Sequence, residues 1–207
     1  MRFGAGLPLE PSRGYPPSPR GLDALERTRA FLRDVALPAC EAFRSEHGDW
    51  TLALEADGRP AAHVLAFKRE MQMRSAEAGL YALNVPEQDG GGGLGMLDLF
   101  YVHEEVFRHG LQGQQWLLAW TEGPTHLVRY LSEHARREWL PDLLSGRINM
   151  ASAITERGGG SDVSNPVTRA RRHGDGWLLD GEKWMITGAP VVELVLVRVP
   201  VEGGPSG

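Results

Sequence analysis

Residues Ala151 to Ala189 read ASAITERGGGSDVSNPVTRARRHGDGWLLDGEKWMITGA, and this segment decides the fold of the chain. It begins inside an apolar run, Ile148 to Ile154, which leads into the polar pair Thr155-Glu156 and then the glycine run Gly158 to Gly160. Before this apolar run, hydrophobic residues recur at helical spacing. From the run onward they alternate with a period of two, which is typical of β-strands. The change of period predicts a domain boundary here.

Two positions in the segment place a hydroxyl group at the end of an apolar strand. Thr155 and Thr187 could each direct that group into a cleft, and Trp184 offers a flat aromatic face. Glycine lets the backbone approach a bound group closely, because it carries no side chain. Together these features would suit a planar polar heterocycle. The residues leave a second interpretation open, a polar strand–turn–strand surface around a buried tryptophan, because turn-rich patterns are common.

The two ends of this segment, ITERGGGSDV and DGEKWMITGA, resemble the two signature blocks of the acyl-CoA dehydrogenase family. Upstream, NVPEQDGGGGLGMLDLFYVHEEVFR resembles the glycine-rich segment that links helices in that family, and REWLPDLLSGRINMASAITE resembles its entry into the sheet domain. The resemblance extends from about Gly21 to Val199. It implies an α+β fold, in which an N-terminal all-α helical domain is followed by a partial antiparallel β-barrel domain.

The expected organisation has three parts. A flexible Pro/Gly-rich arm occupies 1–20, the helical domain 21–147 and the partial β-barrel 148–207. The predicted helices cover 22–47, 61–78, 96–108, 112–131 and 133–144. We expect Pro38 to kink or split the first helix and Ser132 to cap the last. Gly90 to Gly93 is predicted to be a structural loop rather than a phosphate cradle, since no Lys-Ser/Thr follows it.

The family resemblance implies α,β-dehydrogenation of an acyl-CoA thioester, with hydride transfer to FAD. It implies acyl-CoA or a related acyl thioester as substrate, and an electron-transfer partner. Further copies in a homo-oligomer, or a complementary chain carrying the family's C-terminal helical domain, are also expected. No glutamate of this chain aligns with the family's catalytic base, so no catalytic residue is assigned. We therefore expect a truncated chain, a naturally short paralogue or half of a split enzyme.

The resemblance places the expected cofactor contacts in both signature blocks. Thr155 would hydrogen-bond the pyrimidine edge of the flavin, and Thr187 would lie near its N5 atom. We predict that these two side chains converge on the same ring. Ser161 would contact the CoA arm of the substrate. The residues carried over as cofactor-binding are Ser152, Ile154, Thr155, Gly160, Trp184, Met185, Ile186 and Thr187.

Two positions depart from the family pattern. Met185 replaces the aromatic residue that usually precedes the isoleucine, and Trp184 comes one residue earlier. Because neighbouring residues of a strand face opposite ways, we expect Trp184 to turn away from the ring and Met185 to take the contact. Arg157 replaces the usual proline after Thr-Glu, which should loosen that turn. An inactive paralogue or assembly subunit that keeps the fold is the alternative function, and an oxidase or a dehydrogenase acting on another acyl carrier is a third.

Composition excludes several other classes of protein. The net charge of −5 over 207 residues, without a run dense in Lys or Arg, argues against a nucleic-acid partner. Cys40 is the single cysteine, so we predict a small buried side chain, no internal disulfide and a cytoplasmic location. No apolar run is long enough for a membrane span. His103 and His109 lack the spacing of an H-E-x-x-H motif, so no metal site is predicted.

Overall fold

The computed structural model describes residues 15–49, 53–109, 116–119 and 122–203. The chain divides into two compact units, Met1–Ile148 and Asn149–Gly207, which we call the helical unit and the β unit. In chain order the α-helices all precede the first strand, so the predicted fold class, a helical domain followed by a partial β domain, is confirmed. Residues 1–14 of the predicted arm lie outside the described residues.

Five α-helices form the framework of the helical unit: α1 Pro19–Phe31, α2 Leu37–His47, α3 Ala62–Glu77, α4 Met96–Arg108 and α5 Glu133–Leu144. The first begins within the predicted arm, so the prediction that the arm continues to residue 20 is wrong. Proline has no N–H to leave unpaired in the first turn, and Pro19 therefore suits the first helical position. The Ser18 side chain caps this helix by accepting a hydrogen bond from Gly21 N at 3.1 Å.

A π-helical segment, Leu32–Ala36, joins α1 to α2 and lies directly before Pro38. The wider π turn accommodates the proline, which cannot donate a hydrogen bond to the preceding turn. The predicted division of this long helix near Pro38 is thus confirmed. Cys40 follows on α2 and is half-buried rather than fully buried, packed against the core. Burial raises the pKa of its thiol.

The core of the helical unit lies between α1, the π-helical segment, α3, the loop after α3, α4 and residues 116–119. Its buried members are apolar and come from every one of these segments: Ala24, Phe31, Leu32, Ala36, Met71, Leu80, Leu83, Leu99, Val102, Val106, Leu117 and Leu118. Helix α5 begins at its predicted cap, where the Ser132 side chain accepts a hydrogen bond from Ala135 N at 3.2 Å.

The predicted helix 112–131 is wrong in the part of it that the structure describes. Among residues 116–119 and 122–131, helical conformation is limited to 3₁₀, at Trp116 and in the 3₁₀ helix His126–Tyr130. Gly123 has a φ of +104°, and Pro124 cannot donate the hydrogen bond that an α-helix would need. Residues 112–115 and 120–121 lie outside the described residues.

The β unit contains two short pairs of strands: β1 Met150–Ala153 with β4 Leu194–Val197, and β2 Arg169–His173 with β3 Gly176–Asp180. The β2–β3 pair is an antiparallel hairpin, whereas β1 and β4 run parallel. The hairpin has the expected antiparallel arrangement, whereas β1 and β4 depart from it because the chain crosses over through the hairpin before it returns. A 3₁₀ helix, Ala189–Val191, precedes β4.

The hairpin exposes large apolar side chains. Trp177, Leu178 and Leu179 are 52%, 41% and 52% exposed. Among the described residues of the β unit, the buried apolar side chains are Met150, Ala151, Ala153 and Ala170, of which three are alanines. The unit therefore has little apolar core, and polar contacts carry much of its organisation.

Candidate functional site

The two signature blocks meet in the β unit through backbone and side-chain hydrogen bonds. Thr155 lies just beyond the end of β1, and its carbonyl accepts a hydrogen bond from Trp184 N at 2.8 Å. One residue earlier in each block, the Lys183 ammonium donates to Ile154 O at 3.1 Å. The middle of the second block thus lies beside the start of the first.

Glu156 connects this junction to the beginning of the hairpin. Its carboxylate accepts hydrogen bonds from Val167 N at 2.5 Å, from Thr168 N at 2.9 Å and from the Lys183 ammonium at 2.9 Å. Both side chains of the Glu156–Lys183 pair are 9% exposed. Hydrogen bonding from Thr168, then from Lys183 and Val167, lowers the pKa of Glu156 to about 2.

The glycine-rich turn after Glu156 is closed despite Arg157, which was expected to loosen it. Glu156 N donates to Gly159 O at 3.0 Å, and Gly159 N donates to Glu156 O at 3.1 Å. A Cβ atom at Gly160 would come within 3.1 Å of Thr155 Cγ2 and 3.2 Å of its hydroxyl oxygen. Glycine at this position therefore leaves the space that the Thr155 side chain occupies.

Trp184 and Met185 have different surroundings. The Arg157 guanidinium stacks over the Trp184 ring, 3.8 Å from its centroid, and also pairs with Glu182 at 2.8 Å. Met185 is 81% exposed and has a φ of +53°, in the left-handed region that non-glycine residues seldom adopt. Trp184 is thus occupied by Arg157, while Met185 is open to a ligand. Contact of Met185 with a cofactor stays a prediction.

Thr187 does not lie at the end of a strand, which corrects the sequence interpretation. It is exposed in a turn between β3 and the 3₁₀ helix, where Gly188 has a φ of +78° and Pro190 follows. The extended run therefore stops before it. Ile186, one residue earlier, is half-buried. The convergence of Thr155 and Thr187 on one ring stays a prediction.

The remaining predicted contacts lie at or beyond the end of β1. Ser152 is half-buried within this strand, opposite Leu196 of β4, and Ile154 and Thr155 are half-buried just past it. Gly160 and Ser161 are exposed in the loop that follows. None of these five positions is fully buried.

A cavity of about 130 Å³ lies behind the glycine-rich loop, lined among others by Ile154, Glu156, Gly160, Lys183 and Arg198. Pockets for cofactor-sized ligands are usually about 300–1,000 Å³, so a flavin ring does not fit inside it. The half-buried hydroxyl and backbone groups around Thr155, with exposed Met185, fit one wall of a flavin site instead.

The glycine run before α4 is a structural loop, as predicted. The N–H groups of Gly90, Gly91, Gly92 and Gly93 donate to backbone carbonyls at 2.8–3.1 Å, so none is left to hold a phosphate. A Cβ atom at Gly91 would lie 2.3 Å from the Val85 carbonyl oxygen. Close approach of two backbone segments therefore requires glycine here.

The described residues show no candidate for a metal site or for a membrane-spanning helix. No group of His, Cys, Asp and Glu there could hold a metal ion. His103 is partly buried on α4, and this burial lowers its pKa. None of the described helices combines the length and the apolar character needed to cross a bilayer.

Comparison with known proteins covers both units. The family model for the acyl-CoA dehydrogenase N-terminal domain matches residues 23–147, and the model for the middle domain matches residues 151–206. Acyl-CoA dehydrogenase FadE12 of Mycobacterium tuberculosis is 33% identical over 128 residues, which make up 62% of this chain and 33% of that protein. Mitochondrial isovaleryl-CoA dehydrogenase of Bos taurus is 28% identical over 194 residues, or 93% of this chain and 44% of that protein.

A similar solved structure is the glutaryl-CoA dehydrogenase of Mycobacterium smegmatis in complex with FADH2. It has a TM-score of 0.60 and 21% identity, over 90% of this chain and 44% of that chain. At this identity the likeness shows the fold alone. The chain spans only 33% and 44% of the length of the two curated relatives.

Sequence reasoning found the two signature blocks but missed Glu156 and Lys183. The sequence prediction chose Thr155 for its hydroxyl group and Trp184 for its aromatic ring. Glu156 and Lys183 are their immediate neighbours in the sequence. The sequence did contain a signal for this pair, a negative residue in the first signature block and a positive residue in the second. Charged side chains that become buried are normally paired.

Proposed function

Because the chain belongs to the acyl-CoA dehydrogenase family, we propose that it takes part in the α,β-dehydrogenation of acyl-CoA or a related acyl thioester, with FAD as cofactor. The hydrogen bond from Trp184 N to Thr155 O carries the proposal, since it holds the two expected flavin-contacting segments side by side. FAD, when bound, supplies an acceptor for the substrate's hydride, which no amino-acid side chain provides.

The residues of the β unit would hold and orient the flavin. In this proposal the Thr155 hydroxyl bonds the pyrimidine edge and the Thr187 hydroxyl lies near N5. Exposed Met185 covers part of the ring face, because Trp184 is already stacked with Arg157. Hydroxyl groups suit this task, since each can both donate and accept a hydrogen bond.

The substrate would approach from the side of the glycine-rich loop. Ser161 is exposed there and is the proposed contact for the CoA arm. The α proton of a thioester is weakly acidic, so its removal needs a carboxylate within hydrogen-bond reach. We assign no such carboxylate in this chain and propose that a complementary chain carrying the family's C-terminal helical domain supplies it. An electron-transfer partner would then reoxidise the flavin, and the single Cys40 supports a cytoplasmic location.

The proposal is tested with the full chain and with Thr155→Val and Thr187→Val. FAD binding, followed by quenching of flavin fluorescence, should weaken about 2- to 10-fold in each variant, because one hydrogen bond is lost. Thr155→Ser is the matched control, since it keeps the hydroxyl group and should bind FAD nearly as the original chain does. Reduction of an electron acceptor by acyl-CoA is measured after addition of a complementary dehydrogenase chain.

Failure to bind FAD, alone or with that chain, would contradict the proposal. Turnover that is unaffected by either threonine substitution would favour the alternative, an assembly subunit that keeps the fold without catalysis. Oxygen consumption by the reduced flavin separates an oxidase from a dehydrogenase.

A further inference from the structure

We infer that Glu156 and Lys183 are positioning residues, a buried ion pair that sets the relative placement of the two segments proposed to contact the flavin. Neither side chain is among the proposed flavin contacts. The inference rests on the proposed function only where it concerns the flavin. The geometry itself belongs to the β unit and can be tested without a cofactor.

Each residue of the pair is adjacent in sequence to one end of the hydrogen bond that joins the two blocks. Glu156 directly follows Thr155, and Lys183 directly precedes Trp184. The Lys183 ammonium donates both to the Glu156 carboxylate at 2.9 Å and to Ile154 O at 3.1 Å. A displacement of the ammonium would therefore be passed to Trp184 N, which donates to Thr155 O.

Glu156 also closes the loop 157–166. Its carboxylate accepts hydrogen bonds from Val167 N and Thr168 N, the first residues after that loop. The loop contains Gly160 and Ser161, which are the proposed contacts for cofactor and substrate. The Glu156 carboxylate thus holds both the chain that follows this loop and Lys183 of the second block.

A neighbouring ion pair joins the same two segments, but it is exposed where the Glu156–Lys183 pair is buried. Arg157 directly follows Glu156 and Glu182 directly precedes Lys183, but the side chains of this second pair are 63% and 54% exposed. Exposed pairs contribute little because water and salt screen them, whereas a charge buried without its partner is strongly unfavourable. The buried pair, rather than the exposed one, is expected to determine the geometry.

Hydrogen exchange of the full chain, followed by NMR, tests the inference directly. In Lys183→Met, the amides of Trp184, Val167 and Thr168 should exchange at least about tenfold faster, because the contacts that hold them open locally. The amides of Leu194 and Arg198, which bond β1 and its ends to β4, should change by less than about twofold.

Two control variants sharpen this test. Lys183→Arg keeps a charged donor and should restore most of the protection at Trp184. Glu182→Gln removes the exposed pair and should alter exchange by less than about twofold. Unchanged exchange of Trp184 in Lys183→Met would overturn the inference. Uniformly fast exchange of the whole β unit in both Lys183→Met and Lys183→Arg would also overturn it, because the pair would then serve the fold alone.

A spectroscopic measurement links the pair to the cofactor. With FAD added, Lys183→Met should bind it about tenfold more weakly and shift the visible absorption of the bound flavin, and Lys183→Arg should reverse both changes. Equal affinity and spectra in all three proteins would overturn the positioning role. If the original chain binds no FAD, the proposed function fails, while the exchange measurements still decide the inference.

Discussion

The helical unit buries many large apolar side chains such as Met71, Leu80 and Val102, together with a few charged ones, whereas the β unit buries mainly alanines and the Glu156–Lys183 pair. Apolar burial is non-directional and tolerates small shifts, while a buried charge pair is satisfied only in a narrow range of geometries. The comparison teaches that the helical unit is built for stability. The β unit instead uses directional contacts to place the segments that carry the proposed chemistry.

The largest effect is expected from a cavity in the helical core. Leu80→Ala, at a side chain only 1% exposed, should lower the free energy of unfolding by about 2–5 kcal/mol, through lost burial and the space left behind. Urea unfolding followed by far-UV circular dichroism measures this. Leu22→Ala, at a residue 50% exposed, should change it by less than about 1 kcal/mol. Equal losses in both variants would contradict an apolar origin of the stability.

A somewhat smaller effect is expected where the helical unit itself contains a buried charge. Arg136 Nη1 donates to Asp89 Oδ1 at 2.5 Å, and the Asp89 side chain is 3% exposed. Arg136→Met should lower the free energy of unfolding by about 3 kcal/mol, because it leaves that carboxylate without its cation. Arg137→Met, on the same helix but 72% exposed, should change it by less than about 1 kcal/mol. Similar losses in the two variants, measured by urea unfolding, would weaken the contrast.

Acid should affect the β unit through Glu156. Because the pKa of this carboxyl is lowered from 4.5 to about 2, its stabilising contribution is present above pH 4.5 and is lost as the pH falls towards 2. NMR shifts of the Val167 and Thr168 amides should therefore move together in that interval and stay constant from neutral pH down to about 5. Glu182→Gln should keep this transition. A midpoint at the ordinary value of 4.5 would contradict the hydrogen bonds to Glu156.

A modest effect is expected at the start of α5. Ser132→Ala removes the side-chain acceptor for Ala135 N and should lower the free energy of unfolding of the helical unit by about 1 kcal/mol. Ser132→Asp keeps an acceptor and adds a negative charge at the helix N-terminus, so it should retain the stability. Thermal unfolding followed by circular dichroism compares the variants. Equal melting temperatures for Ser132→Ala and the original chain would show that the cap contributes nothing.

The smallest effect on stability is expected at the exposed hairpin. Leu179→Ser, at a side chain 52% exposed, should change stability by less than about 0.5 kcal/mol and reduce self-association measured by light scattering. Its cross-strand partner Ala170 is 3% exposed, so Ala170→Ser should increase hydrogen exchange in β2 noticeably. Greater damage from Leu179→Ser than from Ala170→Ser would contradict the difference in burial between these two cross-strand partners.

Local signals in the sequence predicted much of the helical unit. Pro38 marked the division of the first long helix, and Ser132 marked the start of α5, because each acts on its own turn of backbone. Gly123-Pro124, by contrast, prevents an α-helix from running through the predicted segment 112–131 at this point. The prediction of that helix relied on apolar spacing alone and neglected the backbone preferences of glycine and proline.

The β unit was harder to predict because its organisation is non-local. The parallel pairing of Met150 with Leu194 depends on residues far apart in sequence, and no pattern within either strand specifies it. The same holds for Glu156 and Lys183, whose partnership depends on how the intervening chain folds. The left-handed backbone of Met185 has no sequence signal of its own, since methionine seldom adopts it.

The parallel alignment of β1 and β4 also has a kinetic consequence. The hairpin of β2 and β3 joins neighbours in sequence, so it can form in microseconds, whereas β1 and β4 must enclose residues 154–193 before they gain any pairing. Long loop closures slow folding because chain entropy is lost first. Both signature blocks lie within or beside that loop. The β1–β4 pairing is therefore a late event in folding, and a nascent chain acquires it only after Leu194–Val197 has been synthesised.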